Sequence, residues 1–356
     1  MELLKRSYKR IVVKVGSSLF HPGKDPQDES FFDNLSRQLS CLIKGGKELV
    51  VVSSGAITLG SGILSLKERP KDISALQAVA SIGQNVLMDR YSASFKKSGV
   101  ICAQLLLTWD DFNDRKRYLN AKNTILTLFR LGSLPVINEN DTVSTEEIKF
   151  GDNDRLSALV ATLINADLLI ILSDVDGLLD NNKNVVRIVD EIDGEVKSLA
   201  CPTKKKMCVG GMITKIEAAD IAVKSGIPCV IANGRDKDAI LSVVDNPASC
   251  GTVFLPKKSL GAKERWLAFG TKPKGKIVVD DGAKKALLNH KSLLSVGIVD
   301  SCGIFEVADI VKIVDKDGNE FARGKVSLAS ALVSSIRGKR YDKEVVHSNN
   351  IALLIS

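Results

Sequence analysis

Six short clusters of polar residues and glycines border apolar runs of the sequence, and these residue types suit the binding of phosphate and amino-acid groups. Lys14 lies in a β-branched run, and the small residues after it can turn backbone N–H groups toward an anion. A buried lysine needs an anion nearby because an unpaired buried ammonium is costly. The clusters are residues 14–18 (KVGSS), 53–56 (SSGA), 138–142 (NENDT), 151–155 (GDNDR), 173–177 (SDVDG) and 210–215 (GGMITK).

Each cluster also has a simpler structural explanation. Lys14 could lie on a half-exposed edge strand, and residues 53–56 by themselves are more typical of a turn that enters a helix. An Asx residue within 151–155 could cap the helix that follows. Residues 138–142 could form a solvated loop, although they offer the mixed donors and acceptors that an amino acid needs. Only the order and spacing of the clusters together indicate a function.

The first 260 residues alternate strand and helix signals, which predicts a mostly parallel sheet covered by helices on both faces. Functional groups of such a sheet gather at the carboxyl ends of its strands, where most of the clusters fall. The predicted strands are residues 10–15, 49–52, 100–107, 134–137, 168–172 and 228–232, and the predicted helices are residues 31–43, 76–95, 118–131, 156–164 and 212–224.

Composition argues against several classes of protein. No apolar run approaches the roughly 20 residues of a membrane span, and the amino-terminal residues do not fit a signal peptide. The seven cysteines include no CxxC pair, which favours reduced thiols in the cytoplasm over disulfides or zinc. The three histidines are too scattered for a histidine-based site, and no GxxxxGK[ST] loop is present.

The pattern changes after residue 260. Residues 261–274 are predicted to be a linker, followed by short β runs at 276–279, 296–299 and 310–314 that predict a small β-rich domain. Residues 315–318 (DKDG) resemble the start of a calcium loop but favour a hairpin turn. Residues 261–356 carry 16 Lys and Arg against 11 Asp and Glu, which suits either an ordinary basic surface or an anionic partner.

Taken together, these motifs resemble the amino-acid kinase superfamily and, within it, the glutamate 5-kinases. The tail resembles a PUA domain. The kinase resemblance is carried by residues 12–16 (VVKVG), 52–57 (VSSGAI), 115–123 (RKRYLNAKN), 135–141 (PVINEND), 151–154 (GDND), 172–174 (LSD), 210–212 (GGM) and Lys215, and the PUA resemblance by residues 275–283, 292–294, 297–298, 303–305 and 322–324.

The resemblance implies an α/β fold, an amino-acid-kinase-type αβα sandwich around a mostly parallel sheet, followed by a small β-barrel-like PUA domain. The implied boundaries are a catalytic domain at 1–260, a linker at 261–274 and a PUA-like domain at 275–356. The implied activity is ATP-dependent phosphorylation of the γ-carboxylate of L-glutamate to L-glutamyl 5-phosphate, the first step of proline biosynthesis. A carboxylate with a pKa of about 4.3 is already ionised at neutral pH, so this reaction needs no histidine base.

The resemblance also implies site residues and partners. Lys14, Lys215 and Asp154 match catalytic positions, and Ser54, Asp141 and Asn153 match positions that hold glutamate. Magnesium would be held through the phosphates of ATP, with no direct protein ligand assigned. The family further implies a homodimer or tetramer, proline as a feedback inhibitor, and coupling to glutamyl-phosphate reductase. The implied ATP-binding residues are Lys14, Gly16, Ser17, Ser173, Asp174, Val209, Gly210, Gly211, Met212, Ile213, Thr214 and Lys215.

Three positions depart from the family pattern. Val209 stands where the family usually has threonine, so one hydroxyl contact to the nucleotide is lost, whereas Ser173 replaces a threonine and keeps its hydroxyl. Ala308 stands where PUA domains usually have glycine. The rival functions are a related kinase for aspartate, acetylglutamate, carbamate or a nucleotide, and an RNA-binding or RNA-modifying protein acting through the tail. Aromatic residues are 5% of the chain, which leaves few stacking groups for RNA.

Overall fold

The computed structural model describes residues 7–20, 26–143, 153–200, 211–256 and 260–354. They form two units, one within Met1–Asp111 and Arg115–Ser259 and the other within Phe112–Asp114 and Leu260–Ser356. No helix among the described residues is long and apolar enough to span a membrane. The described cysteines, at positions 41, 102, 229, 250 and 302, are all free thiols, and Cys201 and Cys208 lie outside the described residues.

The first unit alternates strands and helices as the sequence predicts. In chain order, the elements up to residue 256 are β1 (Arg10–Val15), α1 (Pro26–Lys44), β2 (Glu48–Ser53), α2 (Ala56–Ile63), α3 (Ile73–Lys97), β3 (Ile101–Leu107), α4 (Trp109–Asn113), α5 (Arg115–Arg130), β4 (Ser133–Glu139), α6 (Asn153–Ile164), β5 (Leu168–Ser173), β6 (Ile188–Val189), α7 (Gly194–Leu199), α8 (Met212–Lys224), β7 (Cys229–Asn233), α9 (Ala239–Asp245) and β8 (Thr252–Phe254).

These strands form one sheet of eight strands in the order β3-β4-β2-β1-β5-β7-β8-β6, and only the β7–β8 pair is antiparallel. The prediction of a mostly parallel sheet is therefore confirmed. Strands β2, β3 and β4 all lie on one side of β1, and β5 pairs with the other side of β1. A reversal of this kind leaves a crevice at the carboxyl ends of the two strands, where ligands of α/β sheets bind.

The two central strands are buried along almost their whole length. Residues 168–172 of β5 are at most 1% exposed, and the apolar residues of β1 are fully buried. Strands covered on both faces read as continuous apolar runs, which explains why their positions could be predicted. A polar side chain in either strand is therefore conspicuous, and Lys14 of β1 is only 5% exposed.

Two glycines let α2 and α3 cross with their backbones nearly touching. A Cβ on Gly83 would lie 1.7 Å from the carbonyl oxygen of Ala56, and a Cβ on Gly60 would lie 2.1 Å from that of Val79. No side chain can stand at either position without moving a helix. The crossing holds the start of α2 two residues after Ser54, and one face of α3 contacts the ends of β2 and β4.

The second unit is built around a five-stranded sheet, which confirms the predicted β-rich tail. The strands lie in the order Ile298–Cys302, Gly275–Val279, Ile310–Val314, Glu320–Lys325 and Ile351–Leu353. A helix lies within residues 261–274, the range that the sequence predicts to be a linker, and its Leu267 and Ala268 are buried. The elements are α10 (Ala262–Phe269), β9 (Gly275–Val279), α11 (Asp281–Leu288), β10 (Ile298–Cys302), β11 (Ile310–Val314), β12 (Glu320–Lys325), α12 (Ser330–Ile336) and β13 (Ile351–Leu353).

Three local features of this unit bear on the sequence predictions. Asp315 follows β11 directly, and its Oδ1 accepts from the backbone N–H groups of Asp317 and Asn319, so residues 315–318 form the predicted hairpin turn. Ala308 has a φ of +76°, in the left-handed region that favours glycine. The strand predicted at 296–299 begins later, at Ile298, because Ser295–Gly297 forms a 3-10 turn.

Candidate active site

Asp154 joins the two predicted catalytic lysines at the carboxyl ends of the central strands. Lys14, in β1, places its Nζ 2.5 Å from Asp154 Oδ1, and Lys215, in α8, places its Nζ 3.3 Å from Asp154 Oδ2. Thr214 donates its hydroxyl to the same Oδ2 at 2.9 Å. All three charged side chains are buried, so two ammonium groups share a single carboxylate away from bulk water.

The electrostatics of Asp154 follow from this arrangement. Burial by itself would raise the pKa of Asp154. The charges of Lys14 and Lys215, with the hydrogen bonds from Lys14 and Thr214, outweigh burial and hold the pKa below its ordinary value. The carboxylate therefore stays ionised and fixes both ammonium groups. An excess of positive charge remains for an anionic ligand.

The nucleotide-loop residues begin α8. Gly211 precedes the helix with a φ of 82°, and both Thr214 Oγ1 and Lys215 Nζ donate to its carbonyl oxygen. Met212 and Ile213 are half-buried and begin the first turn, whose backbone N–H groups have no acceptor within the helix and therefore favour an anion. Val209 and Gly210 lie outside the described residues.

The turn after β1 differs from its predicted role in one respect. The N–H of Gly16 already donates to the carbonyl oxygen of Leu172 at 3.0 Å, so this group is not available to a phosphate. A Cβ on Gly16 would lie 3.7 Å from Lys14 Nζ and 3.0 Å from that carbonyl oxygen, so the glycine leaves space beside the ammonium. Ser17 begins an exposed 3-10 turn immediately beyond it.

Ser173 is the last residue of β5, and Asp174 follows it at the same edge of the sheet. The Oδ1 of Asp174 accepts from the hydroxyls of Ser18 and Ser173 at 2.9 and 3.1 Å. Burial raises the pKa of Asp174, but these hydrogen bonds and the charge of Lys215 lower it below its ordinary value. Arg235, which the sequence did not indicate, donates to the carbonyl oxygen of Ser18 at 3.1 Å and ties the turns after β1 and β7 together.

A separate network of neutral groups joins Ser54 and Asn153, two of the predicted glutamate-binding residues. The amide nitrogen of Asn153 lies 3.1 Å from the carbonyl oxygen of Ser53, 3.0 Å from Ser54 Oγ and 3.0 Å from Asn138 Oδ1. Asn153 immediately precedes Asp154 in the chain, so the start of α6 supplies a residue to both halves of the site. Ser54 and Asn153, predicted from separate clusters, are thus in direct contact.

Asp141 follows β4 and is half-buried. Burial raises its pKa to about 6, although the charge of Arg69 acts in the opposite direction. A carboxylate held with too few favourable partners is suited to a cationic ligand group. Gln84, which the sequence gave no reason to select, accepts a hydrogen bond from the Asn138 amide at 2.7 Å.

Comparison with known proteins identifies two families that the chain matches. The amino acid kinase family model matches residues 9–233, and the PUA domain model matches residues 275–347. The glutamate 5-kinase of Caldanaerobacter subterraneus subsp. tengcongensis is 45% identical, covering 97% of this chain and 98% of that protein. The glutamate 5-kinase of Desulfitobacterium hafniense is 40% identical, covering 98% of this chain and 99% of that protein.

A solved structure supports the fold alone. The N-acetylglutamate synthase of Neisseria gonorrhoeae has a TM-score of 0.53 at 16% identity, covering 71% of this chain and 62% of that one. The fold, the lysine pair and the family match together define a member of the amino acid kinase family. Within it, the chain belongs to the glutamate 5-kinase family, because the likeness to those enzymes runs over nearly its whole length.

Proposed function

We propose that this protein transfers the γ-phosphoryl group of ATP to the γ-carboxylate of L-glutamate, which gives L-glutamyl 5-phosphate for proline biosynthesis. The observation that carries the proposal is the buried pair of ammonium groups, Lys14 and Lys215, held by opposite oxygens of Asp154. The likeness to glutamate 5-kinases over nearly the whole chain supports this substrate over other small carboxylates.

The reaction brings two anions together, and negative charge then builds on the oxygens of the transferring group. The γ-carboxylate of glutamate is already ionised, so no side chain has to remove a proton. The chain must instead position the reactants and supply positive charge in a site with little water. Lys14 and Lys215 do this from two different elements, a strand and a helix, and Asp154 holds both ammonium groups in place.

The nucleotide would lie against the start of α8 and the ends of β1 and β5. The helix amino terminus and its backbone N–H groups favour phosphate, and Gly211 supplies the backbone angle that begins the helix. Among the described residues, no three His, Cys, Asp or Glu side chains converge in a way that could hold a metal ion. We expect magnesium to arrive on the phosphates of ATP and to neutralise part of their charge there.

Glutamate would bind through Asp141, Ser54 and Asn153. The raised pKa of Asp141 supports a role as the partner of the substrate ammonium, whose charge would compensate the burial of the carboxylate. From the family resemblance we also propose a cytoplasmic homodimer or tetramer that proline inhibits and that is coupled to glutamyl-phosphate reductase. We also propose that the catalytic domain ends at residue 260 and that the PUA-like domain begins at residue 275.

A hydroxylamine trapping assay tests the proposed reaction. Purified protein with ATP, magnesium and glutamate should form an acyl phosphate that is trapped as a hydroxamate. Aspartate, acetylglutamate and carbamate serve as competing substrates, and a titration with RNA tests the tail. If no hydroxamate formed with glutamate but product formed with one of the other acids, the proposal that glutamate is the substrate would be wrong. Tight, salt-resistant RNA binding without kinase activity would favour the RNA-binding alternative.

A further inference from the structure

The side-chain oxygen of Asn153 is a buried hydrogen-bond acceptor to which no described residue donates. The residue is 7% exposed and lies at the start of α6, between the lysine site and the network around Ser54. A buried acceptor without a donor is unfavourable, because it has lost its hydrogen bonds to water without a replacement. A site that keeps such an atom next to predicted substrate residues is suited to a ligand that brings a donor.

The orientation of this amide is fixed by the groups around it. The carbonyl oxygen of Ser53 can only accept, so the atom of Asn153 that faces it must be the nitrogen. Asn138 Oδ1 is also an acceptor, and it too must face the nitrogen of Asn153. The oxygen of Asn153 is consequently the atom left for a ligand. Exchanging the two amide atoms would bring oxygen against oxygen at both contacts.

Asn138 has its own orientation fixed in turn. The backbone N–H of Glu139 donates to Asn138 Oδ1 at 2.9 Å, and a backbone N–H can only donate. The Asn138 nitrogen therefore points the other way, where Gln84 Oε1 accepts it at 2.7 Å. Asn138 is 2% exposed, so without this acceptor its NH2 group would be a buried donor with no partner. The side chain would then turn away and withdraw its oxygen from Asn153.

We propose that Gln84 is a positioning residue for substrate recognition, which acts through Asn138 so that Asn153 offers its oxygen to the ammonium group of the amino-acid substrate. This inference rests on the proposed function. Both carboxylates of glutamate only accept hydrogen bonds, so its ammonium is the group that can donate to this oxygen. The hydrogen bonds from Asn138 to Gln84 and from Asn153 to Asn138 therefore favour an amino acid over a dicarboxylate of the same length that lacks the amine.

The test compares Gln84→Met, which keeps the length of the side chain but removes the acceptor, with Gln84→Glu, which keeps an acceptor. Affinities for L-glutamate and for glutarate are measured by calorimetry and by competition, together with the KM for ATP. Gln84→Met should weaken the binding of glutamate about tenfold, which is the effect of one lost hydrogen bond. It should change the affinity for glutarate by no more than about twofold. Gln84→Glu should keep the affinity for glutamate within about threefold of the wild type. The KM for ATP should not change in either variant.

Equal weakening of glutamate and glutarate in Gln84→Met would overturn the proposal, because a merely structural role affects both ligands alike. Unchanged glutamate affinity in that variant would also overturn it. If glutarate does not compete even with the wild type, rescue by Gln84→Glu decides the question, and Gln84→Ala replaces Gln84→Met should the latter fail to fold. A wild type that binds glutamate but forms no hydroxamate would refute the proposed function instead.

Discussion

Lys14 Nζ lies 2.5 Å from Asp154 Oδ1, although 140 positions separate the two residues in the chain and both side chains are less than 10% exposed. The strand that carries Lys14 is the centre of the sheet, and the helix that carries Asp154 covers that centre. The ion pair can therefore form only when the sheet and this helix are already packed. Folding and the assembly of the proposed catalytic charges are coupled through this one contact.

Asp154→Asn should destabilise the protein by about 3 kcal/mol and abolish most of the activity, because it leaves two buried ammonium groups without their carboxylate. Denaturant unfolding gives the change in the free energy of unfolding, and the hydroxamate assay gives kcat. Asp220→Asn is the matched control, since Asp220 pairs with Lys224 at 2.8 Å on the surface. That control should change stability by no more than about 0.5 kcal/mol. Similar losses in both variants would contradict the argument from burial.

Lys215→Ala should lower kcat by about 100-fold or more while the dissociation constant for glutamate changes only a few-fold. In the proposed mechanism the ammonium stabilises charge that develops during transfer, and removal of one such group typically costs this much. Lys224→Ala, in the same helix but exposed, should leave kcat unchanged. Steady-state kinetics with glutamate binding measured separately distinguishes the two effects. Wild-type turnover in Lys215→Ala would remove this residue from the proposed mechanism.

Glutamate affinity should depend on pH through Asp141, whose pKa burial raises to about 6. Below that pH a proton occupies the carboxyl group that the substrate ammonium needs, so the dissociation constant should rise about tenfold from pH 7.5 to pH 5. The native pKa lies above the unfolded value of 3.8, so this carboxyl also makes folding less favourable as pH rises from about 4 to about 6.

The dissociation constant of glutamate, measured across this range by calorimetry, checks the prediction. Asp141→Asn should bind glutamate weakly at every pH and show a flat profile, because its amide does not titrate. A wild-type profile that is equally flat would mean that Asp141 is not the partner of the ammonium. As a control for effects of pH on nucleotide binding, the wild type is measured both with saturating ATP and without ATP.

The sequence revealed those parts of the site that contrast with their local surroundings. Lys14 could be selected because a lysine interrupts an apolar strand, and the clusters at 53–56, 138–142 and 173–177 because they lie at the ends of buried strands. Gln84 could not, since a glutamine in a helix has the pattern of an ordinary surface residue. Its importance comes from a contact across 54 positions of sequence. The helix at Ala262–Phe269 was missed for a similar reason, because the nearby residues 272–275 favour a linker.

Ala308→Gly should stabilise the second unit by about 1 kcal/mol, because Ala308 has a φ of +76° and a side chain is strained in that region. The same strain explains why PUA domains usually have glycine at this position. Ala286→Gly is the matched control, since Ala286 lies inside α11, where glycine should cost about 1 kcal/mol. Calorimetric unfolding of the full chain should thus shift the transition in opposite directions for the two variants. A lower unfolding temperature for Ala308→Gly would show that the left-handed backbone at this position is not strained.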